Sequence, residues 1–214
     1  MNLSAAMSNS QLLRSQVYEY LRTQLRLENL KPGTFISMNQ LLKNLGLGRT
    51  PVRDALLQLE VEGFVIFLPQ RGLLIRELTR EDIDNLYEML GALDSRVLLS
   101  VFNRIEPGHI LRMKEINEEM IATDCSQGCG DYFNRNTEFH NVYLNLSRNR
   151  EILNQLTIIR QRLFQFGKKD WGNILKLNYD EHLVMIDLIE RGLAKEAADF
   201  MRDVHCVIDF PLNK

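Results

Sequence analysis

Cysteine, histidine and tryptophan are all scarce in this 214-residue chain, with three, four and one copies. Cys125, Cys129 and Cys206 cannot all pair with one another, which argues against a disulfide scaffold and for free thiols in a reducing, cytoplasmic setting. No run of about 18 apolar residues occurs, so no transmembrane helix and no membrane partner are expected. Met1 to Gln11 lack the basic start and apolar core of a secretory signal. Internal repeats and low-complexity tracts are missing too. Excess charge of either sign is absent: 26 Lys+Arg face 28 Asp+Glu, for a net charge of −2. That balance excludes a chain-wide basic field for nucleic acid or anionic lipid. With 45% hydrophobic and 25% charged residues, the chain has the composition of a folded protein and not of a disordered one.

What is present divides near residue 78. Residues 1–78 hold nine Lys+Arg against six Asp+Glu, a net +3. The remainder holds 17 against 22, a net −5. A basic module is joined to an acidic one.

The first module reads as a polar, flexible start over residues 1–10 and then a winged helix-turn-helix over 11–78. Leu12, Leu13, Val17, Leu21 and Leu25 recur at helical spacing, and Lys31-Pro32-Gly33 ends that helix. Ser37 can cap a second helix whose inner face is Met38, Leu41, Leu42 and Leu45. After the turn Gly46-Leu47-Gly48, Thr50 is a candidate N-cap and Pro51 suits the first helical position. The third helix buries Val52, Ala55, Leu56 and Leu59, spaced i, i+3, i+4, i+7. Phe64–Leu68 and Leu73–Glu77 then read as a hairpin around Pro69-Gln70-Arg71-Gly72.

This order places Arg49, Thr50 and Arg53 at the exposed start of the third helix, the end that meets base edges in the major groove. The planar arginine fork can donate two hydrogen bonds to guanine. Arg71 at the hairpin tip can reach a backbone or a minor groove. One arginine at a helix start is usually only solvated; several on two elements aimed at one ligand are not.

From Thr79 onward every signal is helical, over 81–104, 108–124, 131–146, 149–168, 172–190 and 193–209. Thr79 with Asp82 resembles a capping box. The fold class expected is mainly α, a winged helix-turn-helix followed by an all-helical antiparallel bundle over 79–214. Asn136 and His140 lie four apart on one helix face, and His182 and His205 fall on two later helices. Side chains from facing helices can converge in a bundle and hold zinc, nickel or a similar ion. Spacing alone favours packed core histidines. His109, at a helix start, is expected to face solvent. Glu138 and Glu181 flank histidines but are expected on other helix faces, and no H-E-x-x-H motif suggests a metal-dependent enzyme. Cys125 and Cys129 form a poor zinc motif and at most a redox pair. Cys206 reads as a small apolar packing residue, and Trp171, Phe164 and Phe166 read as core or dimer surface.

Pro32-Gly33, the run Leu45-Gly46-Leu47-Gly48-Arg49-Thr50-Pro51-Val52-Arg53-Asp54-Ala55-Leu56, the run Leu59-Glu60-Val61-Glu62-Gly63-Phe64, and Arg71-Gly72 together resemble the GntR family of bacterial transcription regulators. The resemblance implies operator-DNA contacts from Arg49, Thr50 and Arg53 and from the wing tip Gln70-Arg71-Gly72. Gly48 stands where the family has Ser, and Met38-Asn39 where it has Glu-Arg. Asn39 or Gln40 can still hydrogen-bond a phosphate but releases no counterion, so weaker or differently specific binding is expected.

Glu138-Phe139-His140 with Asn149, then Glu181 to Ile186, then Gly192, Ala197 and Met201 to His205 resemble the FCD ligand-binding domain of one GntR subfamily. That resemblance implies a divalent metal on His140, His182 and His205, with Asn136 where the family has Asp. A neutral amide leaves the metal charge uncompensated, so weaker metal binding or an anionic ligand completing the shell is expected. The effector-binding Arg and Glu of the domain's first helix correspond to Leu90 and Asp94. Leu90 cannot hold a carboxylate; either the pocket is more apolar, or Arg96 or Arg160 substitutes. The function expected is a homodimeric repressor whose operator affinity a small effector controls. The alternatives are a metal-free sensor that uses the same histidines as a polar pocket and, remotely, a metal-dependent enzyme.

Overall fold

In the computed structural model the described residues are 3–27, 29–124, 130–166 and 171–207. The chain separates into two compact units, Met1–Leu78 and Thr79–Lys214. No described helix is long and apolar enough to cross a membrane.

The first unit begins with α1 (Leu3–Arg26), followed by β1 (Phe35–Ser37), α2 (Met38–Leu45), α3 (Arg49–Val61), β2 (Val65–Leu68) and β3 (Gly72–Ile75). The helix thus starts at Leu3, whereas the polar composition predicts a flexible segment to residue 10. Ala5, Ala6 and Met7 are good helix formers, and extending an existing helix fixes one residue per added bond.

The core of this unit is Val17, Leu21 and Leu25 of α1 against Val52, Ala55, Leu56 and Leu59 of α3, closed by Phe64, Leu73 and Ile75. Burying a Leu or Ile side chain contributes about 1.5–3 kcal/mol. Tyr18 and Arg22 of α1 both bond Glu62 at the end of α3, at 2.6 and 2.7 Å, and the Arg22 guanidinium lies over the Phe64 ring. Ser37 does cap α2, accepting from the Gln40 amide.

One strand escaped the sequence reading. β1 pairs with β3, which pairs with β2, all antiparallel, in the order β1-β3-β2. Three residues are too few to show an alternation, and Phe35 is exposed on this short edge strand.

The second unit is helical throughout its described residues. It contains α4 (Arg80–Val101), a 3₁₀ turn (Phe102–Arg104), α5 (Pro107–Ile121), α6 (Gly130–Leu144), α7 (Arg150–Phe166), α8 (Trp171–Glu190) and α9 (Ala194–Phe200). Thr79 and Asp82 form the full capping box that opens α4. His109 is not a free surface group. Its Nδ1 accepts from the Glu106 amide at 3.0 Å and so closes the first turn of α5.

α4 packs against α6, α7 and α9, while α5 packs against α6 and α8. The expected last helix, 193–209, stops being an α-helix at Met201. Residues Met201–His205 form a π turn, in which the Cys206 amide bonds the Met201 carbonyl five residues back. Here α4 makes its closest approach through Gly91: a Cβ there would lie 3.0 Å from Cys206 Cβ and 3.1 Å from the Arg202 carbonyl oxygen. Cys206 is buried in that contact, as a packing residue. Cys125 and Cys129 lie outside the described residues, as do the side chains of Phe166 and Trp171.

Candidate DNA-reading surface and histidine cluster

α3 begins two residues earlier than its sequence suggests. Gly48 is the N-cap, in an extended conformation and with no side-chain cap, and Arg49 is already helical. Thr50 therefore sits inside the first turn rather than capping it. With Val52, Ala55, Leu56 and Leu59 buried, the opposite face carries Arg49, Thr50 and Arg53 into solvent. Arg49 and Arg53, four apart, share that face. The uncapped N-terminus adds backbone N–H groups suited to a phosphate.

The wing is tied to this helix. Glu60 of α3 accepts from the Phe67 amide of β2 at 2.8 Å. Between β2 and β3, Gln70 takes a left-handed backbone (φ 65°) and Arg71 is exposed at the tip. The Arg71 carbonyl accepts from the Met38 amide at 3.1 Å, so the wing tip lies against the start of α2, where Asn39 is exposed. Gly72 is corrected by the structure. It is buried, at φ 148°, and a Cβ there would stand 2.0 Å from the Ile36 carbonyl oxygen. Gly72 lets β3 approach β1 and so positions Arg71; its own backbone is not on the surface.

In the second unit the three histidines meet. Atoms of His140 on α6, His182 on α8 and His205 in the π turn all lie within 4.8 Å of one another. His140 and His182 are fully enclosed, and His205 is nearly so. Phe139 stacks on His182 at 3.7 Å between ring centroids and holds that ring flat.

The outer nitrogen of each ring has a partner, and the partners fix the tautomers. Asn117 donates through Nδ2 to the Tyr179 carbonyl, which leaves its Oδ1 to accept from His182 Nδ1 at 3.0 Å. Glu181 accepts from His205 Nδ1 at 2.7 Å. Tyr143 gives its hydroxyl proton to Asp94, so its oxygen accepts from His140 Nδ1 at 3.0 Å. Every Nδ1 is therefore a donor, and His140 and His182 each present an Nε2 lone pair inward, toward His205 Nε2. His140 and His205 Nε2 are 3.3 Å apart, and His182 Nε2 is buried with no hydrogen-bond partner.

Converging lone pairs repel one another unless a cation lies among them. In tetrahedral coordination with Zn–N bonds of about 2.0–2.1 Å, neighbouring nitrogens are about 3.3 Å apart. The residues thus fit a divalent metal. Outer partners of this kind orient metal-bound histidines. Asn136, one turn before His140, adds a buried Oδ1 without a partner.

Two glutamates are settled by their contacts. Glu138 is on the surface, paired with Arg112 and Arg135. Glu181 is not on a separate face as the sequence suggests, because the π turn brings His205 onto it. Each carboxylate is held by a neighbouring side chain, so neither is placed as a free general base.

Beneath the histidines lies Asp94, fully buried on α4 and bonded by both Arg160 of α7 and Tyr143. Leu90, one turn earlier, is buried as well. Arg96 is exposed and so is not the arginine that meets Asp94; Arg160 is.

Burial holds the pKa of His140 and of His182 well below the ordinary 6.5, and the neighbouring Arg160 and His205 lower both further. Both rings are neutral, as metal ligation requires. In the unfolded chain the same imidazoles protonate near pH 6.5. The folded state therefore binds fewer protons below that pH, and stability falls as pH drops through it, by up to about 1.4 kcal/mol per pH unit for each ring. For metal-free protein we expect a urea midpoint level above about pH 7.5 and clearly lower at about pH 5.5. An unchanged midpoint would contradict neutral buried rings.

Comparison with known proteins places both units. Residues 13–75 match the model of "Bacterial regulatory proteins, gntR family", and residues 85–204 match the FCD domain. The Nta operon transcriptional regulator of Aminobacter aminovorans is 26% identical over 173 residues, 81% of each chain. The HTH-type transcriptional regulator YdhC of Bacillus subtilis is 27% identical over 142 residues, 66% of this chain and 63% of that one. Two solved structures share the fold. A GntR transcriptional regulator from Rhodococcus sp. RHA1 has TM-score 0.71 at 16% identity, covering 89% of this chain and 92% of its own. Escherichia coli McbR/YncC has TM-score 0.68 at 17% identity, covering 89% and 94%. A DNA-binding start joined to an FCD domain is not an enzyme; the chain belongs to the GntR family of bacterial transcriptional regulators, in the group that carries an FCD domain.

Proposed function

We propose that this regulator is a cytoplasmic homodimer that represses transcription. A small effector and a divalent metal in the helical unit control its affinity for double-stranded operator DNA. The observation that carries the control is the convergence of the three histidine rings, each held by an outer partner at Nδ1.

His140, His182 and His205 would hold zinc or nickel, with the Asn136 amide oxygen as a further donor. Such an ion supplies a fixed positive centre for an anionic ligand atom. The protein's own part is orientation: Asn117, Glu181 and Tyr143 keep each ring in the tautomer that presents Nε2. Burial keeps water from the centre and keeps His140 and His182 uncharged. On the DNA side, Arg49, Thr50 and Arg53 read base edges, while Gln70, Arg71 and Asn39 meet phosphates or a minor groove. An effector that binds one arrangement of the dimer better than another shifts DNA affinity by that difference, typically about 1–3 kcal/mol.

Protein purified without a histidine tag or chelator is expected to carry one equivalent of metal per chain by elemental analysis. Chelation is expected to lower the melting temperature. Restoring zinc to about 100 times its Kd returns about 2.7 kcal/mol of stability. His182→Ala is expected to abolish both the metal content and the zinc response. Metal-free protein whose operator affinity still responds to an effector supports the metal-free sensor instead. That reading draws on the neutral amide at Asn136, which compensates none of a metal's charge.

A further inference from the structure

Gly91 stands buried in the interior of α4, a helix that contributes no histidine to the cluster. A glycine inside a helix is less favourable than alanine, because its backbone has more freedom to lose. The helix gains nothing locally from Gly91. What Gly91 provides is room.

A Cβ at this position would stand 3.0 Å from Cys206 Cβ, 3.1 Å from the Arg202 carbonyl oxygen and 3.2 Å from Arg202 Cα. Carbon atoms in unstrained contact lie about 3.5–4.0 Å apart. None of the three atoms is the far end of a flexible side chain, so only a backbone shift relieves the contact. The residues touched belong to the π turn. Arg202 is its second residue, and Cys206 closes it through the 3.1 Å bond from its amide to the Met201 carbonyl.

That turn is fastened on its other sides. Met201 and Cys206 are buried with their sulfurs 3.7 Å apart, and the Arg202 side chain is held at the surface by Asp199 and Asp203. His205 Nδ1 bonds Glu181 of α8 at 2.7 Å, and its Nε2 lies 3.3 Å from that of His140. A π turn closes over five residues where an α turn closes over four, so it carries one extra residue and is wider. The extra width is accommodated where α4 has no side chain.

We infer that Gly91 is a positioning residue of the metal site, acting through the π turn on His205. It supplies no ligand atom. Its missing side chain lets the turn seat against α4, and the seat sets how His205 Nε2 faces His140 and His182. An added methyl displaces Arg202 and Cys206 from α4 by a few tenths of an ångström. His205, between them in sequence, moves with them. His140 and His182 belong to α6 and α8 and keep their places. A preorganised site needs its groups within about 0.5 Å of the productive geometry, so a shift of this size in one ligand of three is felt. This inference rests on the reading of the three histidines as a metal site.

Titration of the full metal-free chain with zinc and with cobalt(II) tests it; the visible absorption of cobalt reports its ligands and their geometry. Gly91→Ala is expected to weaken both metals about tenfold, the lower end of the 10–100-fold range for groups that orient metal ligands. Its metal-free melting temperature is expected to stay close to that of the unsubstituted chain, because the better helix propensity of alanine offsets the tighter contact. At saturation its cobalt spectrum is expected to move away from that of the unsubstituted chain and toward that of His205→Ala. Gly91→Val, with a larger side chain, is expected to lose more affinity. Gly108→Ala, also helical but with nothing within 4 Å of the added carbon, is expected to leave affinity within twofold. Unchanged affinity and spectrum in both Gly91 variants overturn the inference. A lowered melting temperature with an unchanged saturated spectrum also overturns it, by assigning Gly91 to packing alone. An unsubstituted chain that binds neither metal overturns it together with the metal reading, whereas metal binding that Gly91→Ala spares overturns it alone.

Discussion

Replacing Arg49 and Arg53 together by alanine is expected to remove most sequence-specific operator binding. Each bidentate arginine–guanine contact is worth about 1–3 kcal/mol of discrimination, roughly five- to 150-fold in affinity. The fold is expected to survive, because both side chains are exposed and the α3 stripe of Val52, Ala55, Leu56 and Leu59 is untouched. The measurement is fluorescence polarisation at one salt concentration, with a duplex selected from a random pool and with a scrambled one. Loss on the selected duplex with a much smaller loss on the scrambled one assigns base reading. Equal losses on both reassign the arginines to phosphate contacts, whose removal lowers the slope of the salt dependence by about one unit each. Unchanged affinity on both sinks the assignment.

Asp94→Ala is expected to be the most damaging single substitution in the helical unit. Asp94 is fully buried and is the carboxylate bonded to Arg160, which is itself nearly enclosed. Removing one partner of a buried pair strands the other charge and costs about 3–5 kcal/mol. For a chain of this size that lowers the melting temperature by roughly 6–20 °C. The double replacement Asp94→Leu with Arg160→Met removes both charges and is expected to recover most of the loss. A cycle in which the double variant is as unstable as the sum of the singles would show that the pair is not coupled. Because Tyr143 also bonds Asp94, metal affinity at His140 is expected to fall in Asp94→Ala.

The exposed face of α3 was largely legible in the sequence. An apolar stripe at helical spacing fixes which face of α3 is buried, and by exclusion which face carries Arg49, Thr50 and Arg53. Turn chemistry located the wing as well. Gly72 was misread because sequence shows a glycine but not the Ile36 carbonyl that excludes any Cβ there. Thr50 was misread as a cap because its intrinsic preference is for that position, while the chain had already entered the helix at Arg49.

The histidine cluster was legible only in part. His140, His182 and His205 were named through a family resemblance, and their individual spacing gave little. Asn117, Tyr143 and Glu181, which set the three tautomers, were not singled out for that role. Asn117 did leave a trace: it interrupts the buried stripe Met113, Ile116 and Met120 of α5 at a core position. A polar residue there implies a buried partner, without saying which. Arg160 and Arg96 could not be told apart by sequence, since each is an arginine on an amphipathic helix; burial separates them.

The sequence by itself determined the two-part plan, the helical register of nearly every element and the exposed arginines of α3. These follow from short-range regularities: apolar period, caps, and glycine and proline breaks. Only the tertiary structure decided what converges. The π turn at Met201–His205 sets the phase of His205 so that it meets His140 and Glu181, from residues 65 and 24 positions away. Asp94 and Arg160, 66 residues apart, are paired by the packing of α4 on α7. Such meetings depend on how whole helices dock and on where one helix locally unwinds. No local pattern of residue types encodes them.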